Sequence, residues 1–202
     1  MFTDLQVINA MNYLRNHPEN RERFLECFWP SQIHSKSWLL QKMDMRWNRG
    51  WNNIFIFGGW YGLLAQMLAV KFPSAIIYSV DIDPMCAIIG RELCKGAVFE
   101  NVHFVTEDMA KFFYPGNPEL VINTSTEHVD QLTYEKWWHR IPYGTNFMLQ
   151  GNDYYECADH IRCSKDLNHF LEFNFVRPDA KDYQSDWMDC IQFHRFMAWG
   201  VK

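Results

Sequence analysis

Residues 54–68 read IFIFGGWYGLLAQML. The apolar run Ile54–Phe57 suits a short buried strand. Leu63, Leu64, Met67 and Leu68 then recur at helical spacing up to Pro73. Between the two, Gly58, Gly59 and Gly62 predict a tight strand-to-helix turn. Glycine lets a backbone turn sharply and approach a ligand with no Cβ in the way. The amides and dipole at the start of the following helix suit a carboxylate or a phosphate. Trp60 and Tyr61 place two of the largest side chains in a loop that normally takes small ones.

Outward from this turn the strand–helix alternation repeats. Ala75–Val80 reads as a second buried strand ending in Asp81. Asp83-Pro84 opens a helix with a cap and a proline at the first helical position, and Ile88, Ile89 and Leu93 supply its apolar face. Val102–Val105 is a third strand and Leu120–Ile122 a fourth. A helix over 133–140 and a fifth strand over Asn146–Leu149 follow. Leu171, Phe173 and Phe175 alternate with polar residues and predict a strand, and Ile191–Ala198 predicts another. With RPDAKDYQSDWMD as the loop between them, these two make an antiparallel hairpin.

The fold expected is α/β: a doubly wound, mostly parallel seven-stranded sheet closed by that C-terminal hairpin. Residues 1–50 read as a helical extension broken at Pro18 and Pro30, with Ser35 or Ser37 capping a helix striped by Leu39, Leu40, Met43 and Trp47. Residues 51–202 form the main domain.

A chain of 202 residues with 48% hydrophobic and 17% aromatic content builds a sizeable core. No apolar run has the length of a membrane helix, and MFTDLQVINAMNYLRNH lacks the build of a signal peptide. The six cysteines form no CxxC pair, which suits reduced thiols in a cytoplasmic protein. No metal site is expected, because the cysteines are scattered and His160, His169 and His194 have no ligand spacing.

The net charge of −5 is uneven. Residues 1–50 carry seven basic against five acidic side chains, a net of +2, which leaves −7 for the rest. An acidic body argues against strong non-specific nucleic-acid binding, which depends on neutralising phosphates. The stretch from His34 to Trp51 interleaves Lys36, Lys42, Arg46 and Arg49 with Trp38, Trp47 and Trp51. It fits an anionic or planar ligand, or an ordinary amphipathic helix.

In open sheets of this kind ligands bind beyond the carboxyl ends of the strands. An acid ending the second strand, Asp81, can accept hydrogen bonds from both hydroxyls of a ribose. Asp108, after the third strand, can accept one from an adenine amino group, with Met109 beside it. Asp83 and Asp108 suit plain helix capping equally well.

The order of elements and these strand-end residues resembles the class I S-adenosylmethionine-dependent methyltransferases over roughly residues 50–202. In that family the glycine loop faces the amino-acid part of the cofactor, the second-strand acid holds the ribose and the third-strand acid reads the adenine. The resemblance implies a cofactor site of Gly58, Gly59, Trp60, Gly62, Asp81, Ile82, Asp108 and Met109, with Ile82 packing on the adenine. Two departures stand out. Ile56 occupies the place of the family's first-strand acid, and Trp60 that of its middle glycine. Trp60 suits a cation–π contact with the sulfonium, and equally a plug in the pocket.

INTSTEHV, which follows the fourth strand, is dense in donors and acceptors. In the same architecture this loop lies beside the transferred methyl. Asn123 is the candidate to orient the acceptor, and Glu127 or His128 to remove its proton. Capping by Ser125 or Thr126 is the structural alternative. The loop lacks the Asn/Asp-Pro-Pro-aromatic tetrad of amino-methylating DNA enzymes and a Pro-Cys nucleophile. A small molecule or a protein side chain is therefore the expected acceptor, while a structured RNA stays compatible with the basic N-terminal segment.

Two other readings stand beside this one. One is a non-catalytic binding protein on the same fold, with Ile56 and Trp60 as signs of altered cofactor use. The other is a dinucleotide-dependent oxidoreductase, whose G-x-G-x-x-G fingerprint GGWYG does not supply.

Overall fold

The computed structural model describes residues 4–47, 50–96, 99–176 and 182–202, so Arg49 and residues 177–181 of the foreseen hairpin loop lie outside the described residues. Two compact units divide the chain, Met1–Glu107 and Asp108–Lys202.

The first unit opens with helices α1 (Asp4–Asn16), α2 (Arg21–Glu26) and α3 (Pro30–Arg46), with a short 3₁₀ turn over Pro18–Asn20. Both prolines act as breaks, and Pro30 itself takes the first helical position of α3. Ser35 and Ser37 therefore lie inside α3 and cap nothing; the Ser35 hydroxyl donates to the Gln32 carbonyl at 3.0 Å. Leu39 and Met43 are the fully buried members of the stripe. Lys36 is buried rather than solvated, its ammonium donating to Gln32 Oε1 at 2.7 Å.

Strands β1 (Asn53–Phe57), β2 (Ile76–Asp81) and β3 (Val102–Thr106) follow, with α4 (Leu63–Lys71) and α5 (Pro84–Cys94) between them. β1 pairs with β2 and β2 with β3, both parallel. The Asp83 carboxylate accepts from Met85 N–H and caps α5 as expected. Ile89 and Leu93 are buried, but Ile88 points outward at 49% exposure. Tyr13, Phe24, Cys27, Tyr61, Cys86, Ile89 and Leu93 form one buried cluster, which ties the N-terminal helices to α5 and to the loop after β1.

The second unit carries β4 (Leu120–Asn123), α6 (Gln131–Arg140), β5 (Asn146–Asn152), α7 (Leu167–Phe173), β6 (Tyr183–Asp189) and β7 (His194–Val201). β4 and β5 are parallel, whereas β7 runs antiparallel to both β5 and β6. The seven strands lie in the order β3-β2-β1-β4-β5-β7-β6. The mostly parallel sheet with a C-terminal antiparallel hairpin is thus present.

The composition of that hairpin differs from expectation. Leu171 and Phe173 belong to a helix, opened by Asp166, whose carboxylate accepts from His169 N–H at 2.8 Å. Phe170 and Leu171 are its buried residues. The first hairpin strand is instead β6, drawn from the stretch that reads as polar loop. Among the described residues no helix is long and apolar enough to cross a membrane.

Candidate functional site

The loop after β1 is shaped by alternating left-handed residues. Gly58, Trp60 and Gly62 have φ of 63°, 49° and 75°. This conformation is cheap for glycine and costs a bulky residue about 1–2 kcal/mol. Trp60 nevertheless adopts it, so the backbone keeps the alternation that a glycine at each of the three positions would give. Gly59 is needed for another reason: a Cβ there would lie 2.1 Å from the Ser79 hydroxyl oxygen. At Gly62 a Cβ would meet the Phe104 ring at 2.3 Å, so the turn can close on the sheet only with glycine.

Asp81, at the end of β2, clamps this loop. Its Oδ2 accepts from Trp60 N–H at 2.8 Å and its Oδ1 from Asp83 N–H at 3.0 Å. A carboxylate offers about four lone-pair positions, so two backbone bonds leave capacity for a further donor pair. Next in sequence, Ile82 is 72% exposed, an unusual setting for an aliphatic side chain at a strand end and a ready face for a planar ring. Ile56, by contrast, is 1% exposed and sealed in the core, so no acid faces the loop from that position.

Trp60 is half-buried and leans on the N-terminal cluster, its ring centroid 5.3 Å from that of Tyr61. From α2, Arg23 reaches Asp83 at 2.5 Å and sits over the Tyr61 ring at 5.7 Å. Against the upward push of burial, Met85 N–H and Arg23 hold the Asp83 carboxyl below its ordinary range. Burial raises the Tyr61 phenol to about 12. An apolar cavity of about 260 Å³ lies against Tyr61, Ala10, Leu14 and Phe28. Its two amides, Gln6 and Gln66, bond to each other and leave no charged group to orient a ligand there.

In the second unit Asp108 accepts from Ala110 N–H at 2.9 Å and pairs with Lys111 at 3.2 Å; Met109 beside it is half-buried. The loop after β4 is richer. Asn123 is fully buried, and its Oδ1 accepts from Ser125 N–H at 2.9 Å to turn the chain. A 3₁₀ turn over Thr126–His128 follows, with Thr126 Oγ1 donating to the Gln150 carbonyl at 2.9 Å. Neither Ser125 nor Thr126 caps α6; Asp130 does, accepting from Thr133 N–H.

This turn splits its two candidate proton acceptors. Glu127 is 2% exposed, while His128 is exposed. Glu127 Oε1 accepts from Asn152 Nδ2 at 2.5 Å and from Arg195 at 3.2 Å, a buried ion pair. Its Oε2 has no hydrogen-bond partner among the described residues, nor has Asn123 Nδ2. His128 stacks edge-on against His160, with ring centroids 4.6 Å apart. Sequence reading overlooked Asn152, His160 and Arg195 here. The one available signal was a charged residue, Arg195, inside the apolar run of β7. All six cysteines are free thiols, and burial raises Cys27 and Cys94 to about 12 and Cys163 to about 11, which makes them poor nucleophiles.

No family model matches the chain, and no curated protein does. Solved structures do. The plantazolicin methyltransferase BpumL, in complex with a triazolic desmethylPZN analog and SAH, superposes with a TM-score of 0.65 at 10% identity, covering 98% of this chain and 97% of that one. The fold is that of the class I methyltransferases. The N-methyltransferase NodS from Bradyrhizobium japonicum WM9 matches with a TM-score of 0.65 at 10% identity, over 86% of this chain and 97% of its own. A variant of MtNAS in complex with S-adenosylmethionine matches at 0.57 and 11%, over 98% and 72%.

Proposed function

We propose that this chain is an S-adenosylmethionine-dependent methyltransferase acting on a small molecule or a protein side chain. What carries the reading is the loop after β1, which keeps left-handed backbone at Gly58, Trp60 and Gly62 and is fixed by Asp81. Trp60 adopts a conformation glycine would take at lower cost, which argues that the loop's shape serves a purpose beyond turning the chain. Support also comes from solved structures of like fold that hold such ligands: the plantazolicin methyltransferase BpumL with SAH and a variant of MtNAS with S-adenosylmethionine.

On this reading Gly58, Gly59 and Gly62 receive the amino-acid part of the cofactor, Asp81 takes the ribose hydroxyls and Ile82 packs on the adenine. Asp108 and Met109 complete the adenine side. Trp60 lies along the methionine chain. Residues 1–50 serve as a substrate-side extension of a cofactor-binding domain over 51–202, in a cytoplasmic protein.

The reaction asks little of the protein beyond alignment. Held there, S-adenosylmethionine would supply the methyl group: the acceptor's lone pair would bond to the methyl carbon as the carbon–sulfur electron pair passes to sulfur, and the acceptor's proton would go to His128 or to water. Of the three residues around the acceptor, His128 is the exposed one and suits proton removal. Glu127 and Asn123 are buried and hold the loop. A non-catalytic binding protein is the second reading, favoured by the sealed Ile56 in place of an acid.

Calorimetry with S-adenosylmethionine and S-adenosylhomocysteine separates the two. The expected result is saturable heat and a rise in Tm with both ligands. Absence of both heat and thermal stabilisation at millimolar ligand would rule out the enzyme reading.

A further inference from the structure

We propose that Glu127, His128 and His160 hold a divalent transition-metal ion. One ligand atom from each lies within 4.8 Å of the other two. The expectation of no metal site came from sequence spacing; the fold brings His160 back onto the Glu127-His128 turn.

Both imidazoles are set as ligands are set. His128 Nδ1 lies 3.2 Å from the Asp159 carbonyl and His160 Nδ1 lies 2.8 Å from the Tyr154 carbonyl. A carbonyl oxygen only accepts, so each Nδ1 carries the hydrogen and each Nε2 keeps its lone pair. Donation of the far ring N–H to a backbone carbonyl is the usual way a protein fixes a metal-binding histidine.

The carboxylate supplies the second, independent observation. Arg195 and Asn152 both engage Glu127 Oε1, while Oε2 is buried with no hydrogen-bond partner among the described residues. A buried carboxylate oxygen left without a donor is costly, and a cation removes that cost. Arg195 Nη1 donates to the other oxygen and to the Thr124 carbonyl, so the guanidinium balances the carboxylate's charge from the Oε1 side and leaves Oε2 to the ion.

Two imidazole nitrogens and one carboxylate oxygen favour Zn²⁺, Co²⁺, Fe²⁺ or Mn²⁺ over Mg²⁺ and Ca²⁺, which prefer all-oxygen shells. Three protein ligands leave positions for water or an acceptor oxygen. One consequence rests on the methyl-transfer reading, although the site itself does not. A histidine bound to a metal through its lone pair cannot take a proton, so His128 changes from base to ligand. An acceptor hydroxyl bound to the ion then loses its proton to solvent more readily.

The test is titration of metal-free protein with Co²⁺ and Zn²⁺ alone, with no cofactor present, read by calorimetry and by the visible absorption of bound Co²⁺. Saturable binding of a single ion is expected, weakened more than about 100-fold in His128→Ala and in His160→Ala, and far weaker for Mg²⁺. Glu127→Gln, which keeps the side chain's shape, should also lose the ion. If that variant fails to fold, the histidine variants still decide, since His128 is exposed. Absence of binding at millimolar metal, or affinity in both histidine variants unchanged from that of the wild-type protein, overturns the proposal. Failure of cofactor binding in the separate calorimetry leaves this result untouched.

Discussion

The loop after β1 and the loop after β4 solve the same problem, holding polar groups at a strand end, by opposite means. The first is shaped by backbone. Three left-handed residues set its path, glycines admit Ser79 and Phe104, and one carboxylate ties two amides. The second is shaped by side chains that meet from distant parts of the sequence: Glu127 with Asn152 and Arg195, and His128 with His160. A backbone-built loop arrives preformed and is sensitive to the volume of a single residue. A loop built from side chains concentrates charge and, among the described residues, leaves acceptor and donor capacity unspent at Glu127 Oε2 and Asn123 Nδ2.

The largest effect expected from this contrast is at Glu127. Glu127→Ala strips the carboxylate from Arg195, which is 3% exposed. A loss of about 3–5 kcal/mol in urea denaturation is expected, because a buried charge is left without its counter-ion. Near-wild-type stability would mean that the second loop is not held by charge. Next is Asp81→Ala, which removes the clamp on Trp60 and Asp83 as well as the proposed ribose acceptor. Affinity for S-adenosylmethionine should fall on the order of 100-fold, about 3 kcal/mol. Unchanged affinity in calorimetry would break the assignment of the first loop to the cofactor.

The smallest effect is electrostatic and lies on β7. His194 Nδ1 meets Asp153 Oδ2 at 2.6 Å, and that hydrogen bond raises its pKa above the ordinary value. A raised folded pKa stabilises below the unfolded value of about 6.5, and the gain is lost as pH climbs through the raised one. The ring is about half exposed, so screening limits the contribution to roughly 0.5 kcal/mol. His194→Gln should flatten the small decline in stability between about pH 6 and pH 8 by that amount.

The contrast also explains what was legible in the sequence. Strands β1 to β5 are apolar runs and the α5 start is Asp83-Pro84, so local pattern was enough to place them. The loop after β1 is local too, and Gly58, Trp60, Gly62 and Asp81 could be picked out before any coordinates. The second loop was legible only in part. Glu127 and His128 announce themselves, but Asn152, His160 and Arg195 are brought in by strand pairing and by a long connection that no spacing rule covers. Period misled around α7, where Leu171 and Phe173 alternate like a strand with Phe175, which lies past the helix end at a φ of 56°. The capping carboxylate of Asp166 and the packing of Phe170 and Leu171 favour helix instead.

Strand β6 was passed over because it is polar, and that polarity has a consequence of its own. It closes one side of the sheet, where unpaired peptide groups would invite a strand from another molecule. Asp182, Asp186 and Asp189 border or occupy it. Two copies brought edge to edge there would set these carboxylates against each other, so self-association through this border is opposed by charge. The feature that conceals the strand from a pattern search is the one that stops the sheet from growing.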